Sequence, residues 1–232
     1  MSSLSGYTIA FDLDGTLVDS APDIHRTLNH IMSVLSLPPA SEADVRNFIG
    51  QGSRGLIVRA CAVHGVINED NRLDELVDMF RDYYGADIAR ATKPFPGVES
   101  TLKALQAAGA LMCVCTNKHT DLAVKLLAAL NLSPWFAAVV GADGVQRRKP
   151  HPDHFIATVR AAHGDPSRAM MVGDSASDVG TARAANAPVA VYAHGYTDTA
   201  PELLGADAVF SHFDELPGLA ARLLQGQPMP RV

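Results

Sequence analysis

Short apolar runs recur along this chain, and each ends in a polar or glycine-rich turn. Tyr7–Phe11 stops at Asp12, Leu111–Cys115 at Thr116, Ala137–Gly141 in a glycine and Ala169–Gly173 at Asp174. Val189–Tyr192 and Ala208–Phe210 have the same character. Runs of this length bounded by turn residues predict buried strands. Between them, helical patterns fall at Val98–Ala108, Asp121–Leu130, His154–His163, Ser177–Ala185 and Phe213–Leu224. Strands alternating with helices predict βαβ units, a parallel sheet and an α/β fold.

The stretch from about Pro22 to Lys93 breaks that rhythm. Ile24, Leu28, Ile31 and Leu35 recur at helical spacing, as do Leu73, Leu76, Val77 and Phe80. Ser41 with Asp44 looks like a helix start ahead of Val45, Phe48 and Ile49, and Leu56, Ile57 and Ala60 form a further apolar face. No strand is predicted here. The economical division is a core of residues 1–20 and 94–232 with a helical insert over 21–93, returning through Lys93–Gly97. Ligand sites of parallel sheets lie beyond the carboxyl ends of the strands, so an insert leaving from the first strand would cover the site as a lid. Tyr83 and Tyr84 read as packing within it.

Composition narrows the class. Of 232 residues, 47% are hydrophobic and 19% charged, which suits a soluble globular protein. The net charge of −6 gives no bulk attraction for nucleic acid, so an anionic ligand must be neutralised locally. The N-terminus lacks a basic stretch followed by an apolar one, and no segment approaches a membrane span. A cytoplasmic enzyme, monomer or homodimer, is expected. Cys61, Cys113 and Cys115 have no metal-ligand spacing and read as buried, reduced thiols, with Cys113 and Cys115 on one face of a strand. Gln225–Val232 reads as a loose tail.

Four strand ends carry chemistry. Asp12 and Asp14, with Gly15 to turn the chain, place two carboxylates together, an arrangement suited to a divalent cation or to a nucleophile and an acid/base. Alone, the pair reads equally well as a turn with exposed acids. Thr116 and Asn117 precede a helix and can hold phosphoryl oxygens, although Thr116 also suits a helix start. Lys149 lies in the basic cluster Arg147-Arg148-Lys149, where a solvated lysine is the plain alternative. Asp174 ends a strand, and Asp178 four residues on sits where an acid also favours the helix dipole. Carboxylates gathered in one site repel, and Mg²⁺ with Lys149 would supply the balancing charge. His151 and His154 read as loop and helix-surface residues.

Asp12-Leu13-Asp14-Gly15-Thr16, Thr116-Asn117, Lys149-Pro150 and Gly173-Asp174 through Asp178, in that order, resemble the four motifs of the haloacid dehalogenase-like hydrolase superfamily. Phe48-Ile49-Gly50-Gln51-Gly52, Lys93-Pro94-Phe95-Pro96-Gly97-Val98 and Arg148-Lys149-Pro150-His151-Pro152 are similar to stretches of its phosphoglycolate phosphatase family. The resemblance implies a Rossmann-like core with a small helical cap, and a Mg²⁺-dependent phosphatase acting on a small phosphate ester. By the same resemblance Asp12 is the nucleophile that becomes an aspartyl phosphate, and Asp14 the general acid/base. Thr116 and Lys149 grip the phosphoryl group. The metal is held by Asp12, the backbone carbonyl of Asp14 and Asp174, with Asp178 in support. Substrate choice falls to the cap, with Arg54, His25 and the loop at Gly50, and with Asn117 beneath it. Arg54 suits a planar carboxylate such as glycolate's. Phosphatases of other small phosphometabolites (a sugar phosphate, a nucleotide, pyrophosphate), a phosphosugar mutase and a non-catalytic binding protein are the alternatives.

Overall fold

A computed structural model of the chain describes residues 3–67 and 69–226. Residues 227–232 of the tail lie outside it. Its centre is a parallel sheet of β1 (Thr8–Phe11), β4 (Leu111–Cys115), β5 (Ala138–Val140), β6 (Ala169–Gly173), β7 (Val189–Tyr192) and β8 (Ala208–Phe210), in the order β5-β4-β1-β6-β7-β8. The strand β1 is central, pairing Thr8 with Leu111 on one side and with Ala169 on the other. Both faces are covered, which is why the strands read as continuous apolar runs.

Successive side chains go to opposite faces. Ile9, Phe11, Met112, Val114, Met170 and Val172 join the larger core, packed by α5 (Val98–Ala107), α6 (Thr120–Ala129) and α9 (Leu216–Leu224). Ala10, Cys113, Cys115, Met171, Val189 and Val191 join the other, under α7 (Pro152–Ala161) and α8 (Ala176–Ala184). Cys113 and Cys115 share a face and are fully buried, and burial pushes both thiols up.

Between β1 and β4 the chain forms α1 (Ala21–Val34), α2 (Glu42–Phe48), α3 (Gly52–Ala62) and α4 (Asp70–Ala86), which pack on one another as a helical cap. Ser41 caps α2, its hydroxyl accepting from the Asp44 N–H at 3.1 Å. The cap leaves and returns through two strands the sequence pattern does not reveal, β2 (Val18–Asp19) and β3 (Lys93–Pro94), paired antiparallel. Asp23, buried at the start of α1, locks this neck by accepting from the N–H groups of Ala91 and Thr92 and from the Thr92 hydroxyl. Burial works to raise its carboxyl, but these bonds and nearby Arg26 hold it below its ordinary value. No helix among the described residues is long and apolar enough to cross a membrane.

Candidate active site

The carboxyl ends of β1, β4, β5 and β6 converge below the cap. Asp12 leaves β1 still tied to the sheet, its N–H donating to the Val172 carbonyl at 2.8 Å. Gly15 then turns at φ 85°, a conformation few other residues adopt, and a Cβ there would strike the Asp174 carboxylate. That glycine is what lets the loops after β1 and β6 close on each other.

Lys149 reaches this junction from the loop between β5 and α7. Its ammonium, with the side chain 1% exposed, sits 2.9 Å from Asp12 and 2.7 Å from Asp178. The solvated alternative for this lysine is therefore excluded. His154 holds Lys149 from behind: its Nδ1 accepts from the Lys149 N–H at 3.2 Å while Nε2 faces the Val140 carbonyl at 3.1 Å. Contrary to the helix-surface reading, His154 is fully buried. Burial and the neighbouring Lys149 charge push its pKa down to about 4, so the ring stays neutral and can accept that bond.

Asp178 caps α8 and serves the site at once. One oxygen meets Lys149, and the other accepts from the N–H groups of Asp174 and Ser175 and from the Ser175 hydroxyl. Asp174 accepts from Thr16 Oγ1 at 2.7 Å and from the Tyr196 N–H at 2.6 Å. Asp12, Asp174 and Asp178, all buried, bring carboxylate oxygens within 4.8 Å of one another. Burial first, and the other acids next, drive Asp174 well above the usual carboxylate range. Burial raises Asp12 to about 6, against the pull of Lys149. Three buried acids facing one lysine lack positive charge, and hard oxygen donors at this spacing suit a divalent cation. The residues therefore fit a metal centre.

The side chain of Asp14 turns away from that cluster. It accepts from the Ser20 hydroxyl at 2.6 Å and from the Lys118 ammonium at 2.9 Å to each oxygen, so toward a metal it has only its backbone carbonyl to offer. Asp12, Asp14, Thr116, Asn117 and Gly50 line one cleft between core and cap. Asn117 bridges the two, donating to the carbonyls of Gly50 and Lys149.

Two cap candidates lie outside the residues that line the cleft. Arg54 is not brought into the cleft: its guanidinium lies at the exposed cap surface, bonded to Asp74 and, at 2.8 Å, to Asp70. His25 likewise faces the Ala40 carbonyl and Asn29, inside the cap. Tyr84, by contrast, is buried against the cleft beside Lys118, whereas Tyr83 stacks on His30 within the cap. Sequence reasoning misses Lys118, although it directly follows Thr116 and Asn117 in the same loop.

A buried aspartate at the end of the central strand, a lysine against it and a carboxylate cluster beneath a helical cap define the class. The chain belongs to the haloacid dehalogenase-like hydrolases, whose family model matches residues 9–192. Within them it falls in the phosphoglycolate phosphatase family. It is 46% identical to the phosphoglycolate phosphatase of Caulobacter vibrioides over 100% of this chain and 98% of the relative. It is 42% identical to that of Mesorhizobium japonicum, covering 94% and 96%. A crystal structure described as a predicted phosphoglycolate phosphatase from Haemophilus somnus superposes with a TM-score of 0.86 at 30% identity, covering 94% of this chain and 98% of that one.

Proposed function

We propose that this protein is a Mg²⁺-dependent phosphatase that hydrolyses 2-phosphoglycolate to glycolate and phosphate. The observation that carries the reading is Asp12 itself: a buried carboxylate ending the central strand, neutralised by Lys149 at 2.9 Å, with a second acid, Asp14, in the same cleft. Nothing in packing requires that set. Names shared by full-length relatives at 46% and 42% identity support the substrate.

In this reading residues 21–93 act as a cap over a core of 1–20 and 94–232. Asp12 Oδ attacks phosphorus in line, the P–O bond to the alcohol breaks, and an aspartyl phosphate forms. Asp14 gives its proton to the departing alkoxide, then takes one from the water that hydrolyses the phosphoenzyme. Thr116, at the end of β4, and Lys149, from the loop between β5 and α7, hold the equatorial oxygens as charge develops there. Asn117 steadies the loop that carries Thr116. Asp12, Asp174 and the Asp14 carbonyl would hold Mg²⁺, with Asp178 behind them. The ion would supply the positive charge that lets one anion approach another.

Phosphate release from 2-phosphoglycolate, glucose 6-phosphate, a nucleoside monophosphate and pyrophosphate, measured with Mg²⁺, tests the reading. We expect kcat/KM for 2-phosphoglycolate to exceed the others by at least about ten-fold. A higher value for any of the other three compounds replaces the substrate. Absence of hydrolysis of all four, and of a generic aryl phosphate, refutes the activity.

A further inference from the structure

Once nucleophile, phosphate grip and metal ligands are assigned, the cleft retains polar groups with no stated task. His119 is turned to Asp121 and Asp143, at 2.7 and 3.4 Å. Lys118 and Tyr84 are different. The Lys118 side chain is only 7% exposed, and its ammonium lies 4.5 Å from the centre of the Tyr84 ring. The Tyr84 residue is 1% exposed; its hydroxyl lies within reach of the Lys118 ammonium, without good hydrogen-bond geometry, and its own proton meets no acceptor among the described residues. Burial pushes that hydroxyl up to about 12 against the pull of the Lys118 charge, so it keeps its proton and remains a donor. A buried hydroxyl proton without an acceptor is costly unless something that visits the site supplies one.

We infer that Lys118 and Tyr84 form the subsite that reads a carboxylate on the leaving group. This rests on the phosphatase reading above and names the residues that would give it its substrate. An ammonium carries three protons: the two Asp14 oxygens take two, and the third lies toward the Tyr84 hydroxyl, a neutral acceptor that a second anion can displace. The Tyr84 hydroxyl donates the neighbouring bond. Ile24, Leu56 and Phe80 wall the same cleft with apolar surface, which strengthens a charge-assisted bond inside it.

Position also fixes the length of the substrate. The leaving oxygen must meet Asp14 to be protonated. In an acid with one methylene between alcohol and carboxylate, ordinary bond lengths put the carboxylate oxygens roughly 3 Å from the ester oxygen. A donor 2.9 Å from Asp14 can therefore serve a two-carbon hydroxy acid, whereas a longer chain carries its carboxylate past that donor. Arg54 cannot take this part from the cap surface, where Asp70 and Asp74 already hold it.

The experiment compares kcat/KM for 2-phosphoglycolate and for 2-hydroxyethyl phosphate, a neutral ester of similar size, in the Mg²⁺-loaded protein and in Lys118→Met and Tyr84→Phe. Both esters release an alkoxide, so any disturbance of Asp14 affects both and cancels in the ratio. The expected result is a ratio well above one in the unaltered protein, falling at least ten-fold in Lys118→Met and several-fold in Tyr84→Phe. A Lys118→Met ratio within two-fold of the unaltered protein overturns the assignment. If that variant does not fold, Tyr84→Phe decides by the same two-fold limit, since it keeps the ring and its packing. A ratio near one in the unaltered protein contradicts the substrate reading itself, an outcome distinct from loss of the subsite alone.

Discussion

The side-chain amide of Asn117 donates to the main-chain carbonyl of Gly50 at 2.9 Å, fastening the cap to the core at the cleft that Asp12 also lines. Its second bond, to the Lys149 carbonyl at 3.2 Å, ties the same side chain to the loop that presents the lysine. One residue therefore ties the Gly50 loop of the cap to the loop that sets the charge beside Asp12.

Asn117→Ala should break both links while leaving the folded core intact. Each bond is worth about 0.5–1.5 kcal/mol net, so kcat/KM should fall roughly five- to a hundred-fold. Amide exchange at residues 50–53 should quicken in the same variant, since the loop loses its tether. Unchanged kcat/KM together with unchanged exchange would show that closure does not depend on this contact.

The acid cluster makes a prediction about stability and pH. Asp12 and Asp174 are raised above their unfolded values in the metal-free protein, so the folded state holds protons that the unfolded state has released. Stability is then lost as pH rises from the ordinary carboxylate range through about 6, the value for Asp12. Mg²⁺ should restore it, by about 2.7 kcal/mol at a hundred times its dissociation constant. Asp174→Asn removes one of the buried charges. It should melt higher than the unaltered protein without metal near neutral pH, and should lose the Mg²⁺-dependent rise in Tm. A Mg²⁺ shift of equal size in both proteins would exclude Asp174 as a ligand.

Much of this site is legible because a parallel sheet buried on both faces leaves each strand as an uninterrupted apolar run. The residue after each run is then conspicuous, and Asp12, Thr116 and Asp174 stand at such ends. Lys149 has no strand immediately before it, so its burial can be learned only from the fold. The strands β2 and β3 are two residues long, too short for any periodicity. His154 lies on a helix whose buried face depends on where β5 runs. For Arg54, charge alone suggests a ligand, and the fold assigns it elsewhere. Asp70 and Asp74, four apart on α4, present a paired acidic face to it, and that spacing is readable in the sequence. Tyr84 sits near the end of α4 like any core aromatic, and only packing against Lys118 shows that it borders the cleft.

Rapid-quench measurement of the phosphoenzyme separates the roles of Asp12 and Asp14. The comparison uses 2-phosphoglycolate and an aryl phosphate with the Asp12→Asn and Asp14→Asn variants. Asp12→Asn lacks the nucleophile and should form no phosphoenzyme from either. Asp14→Asn keeps the nucleophile but not the proton donor, whose assistance is typically worth about 10²–10⁴-fold. It should therefore lose most transfer from the alkyl ester, whose alkoxide needs a proton, and much less from the aryl ester. Its phosphoenzyme should also persist, visible by intact mass as one added phosphoryl group, because the attacking water has lost its base. Phosphoenzyme in Asp12→Asn, or an equal slowing of both esters in Asp14→Asn, would contradict these roles.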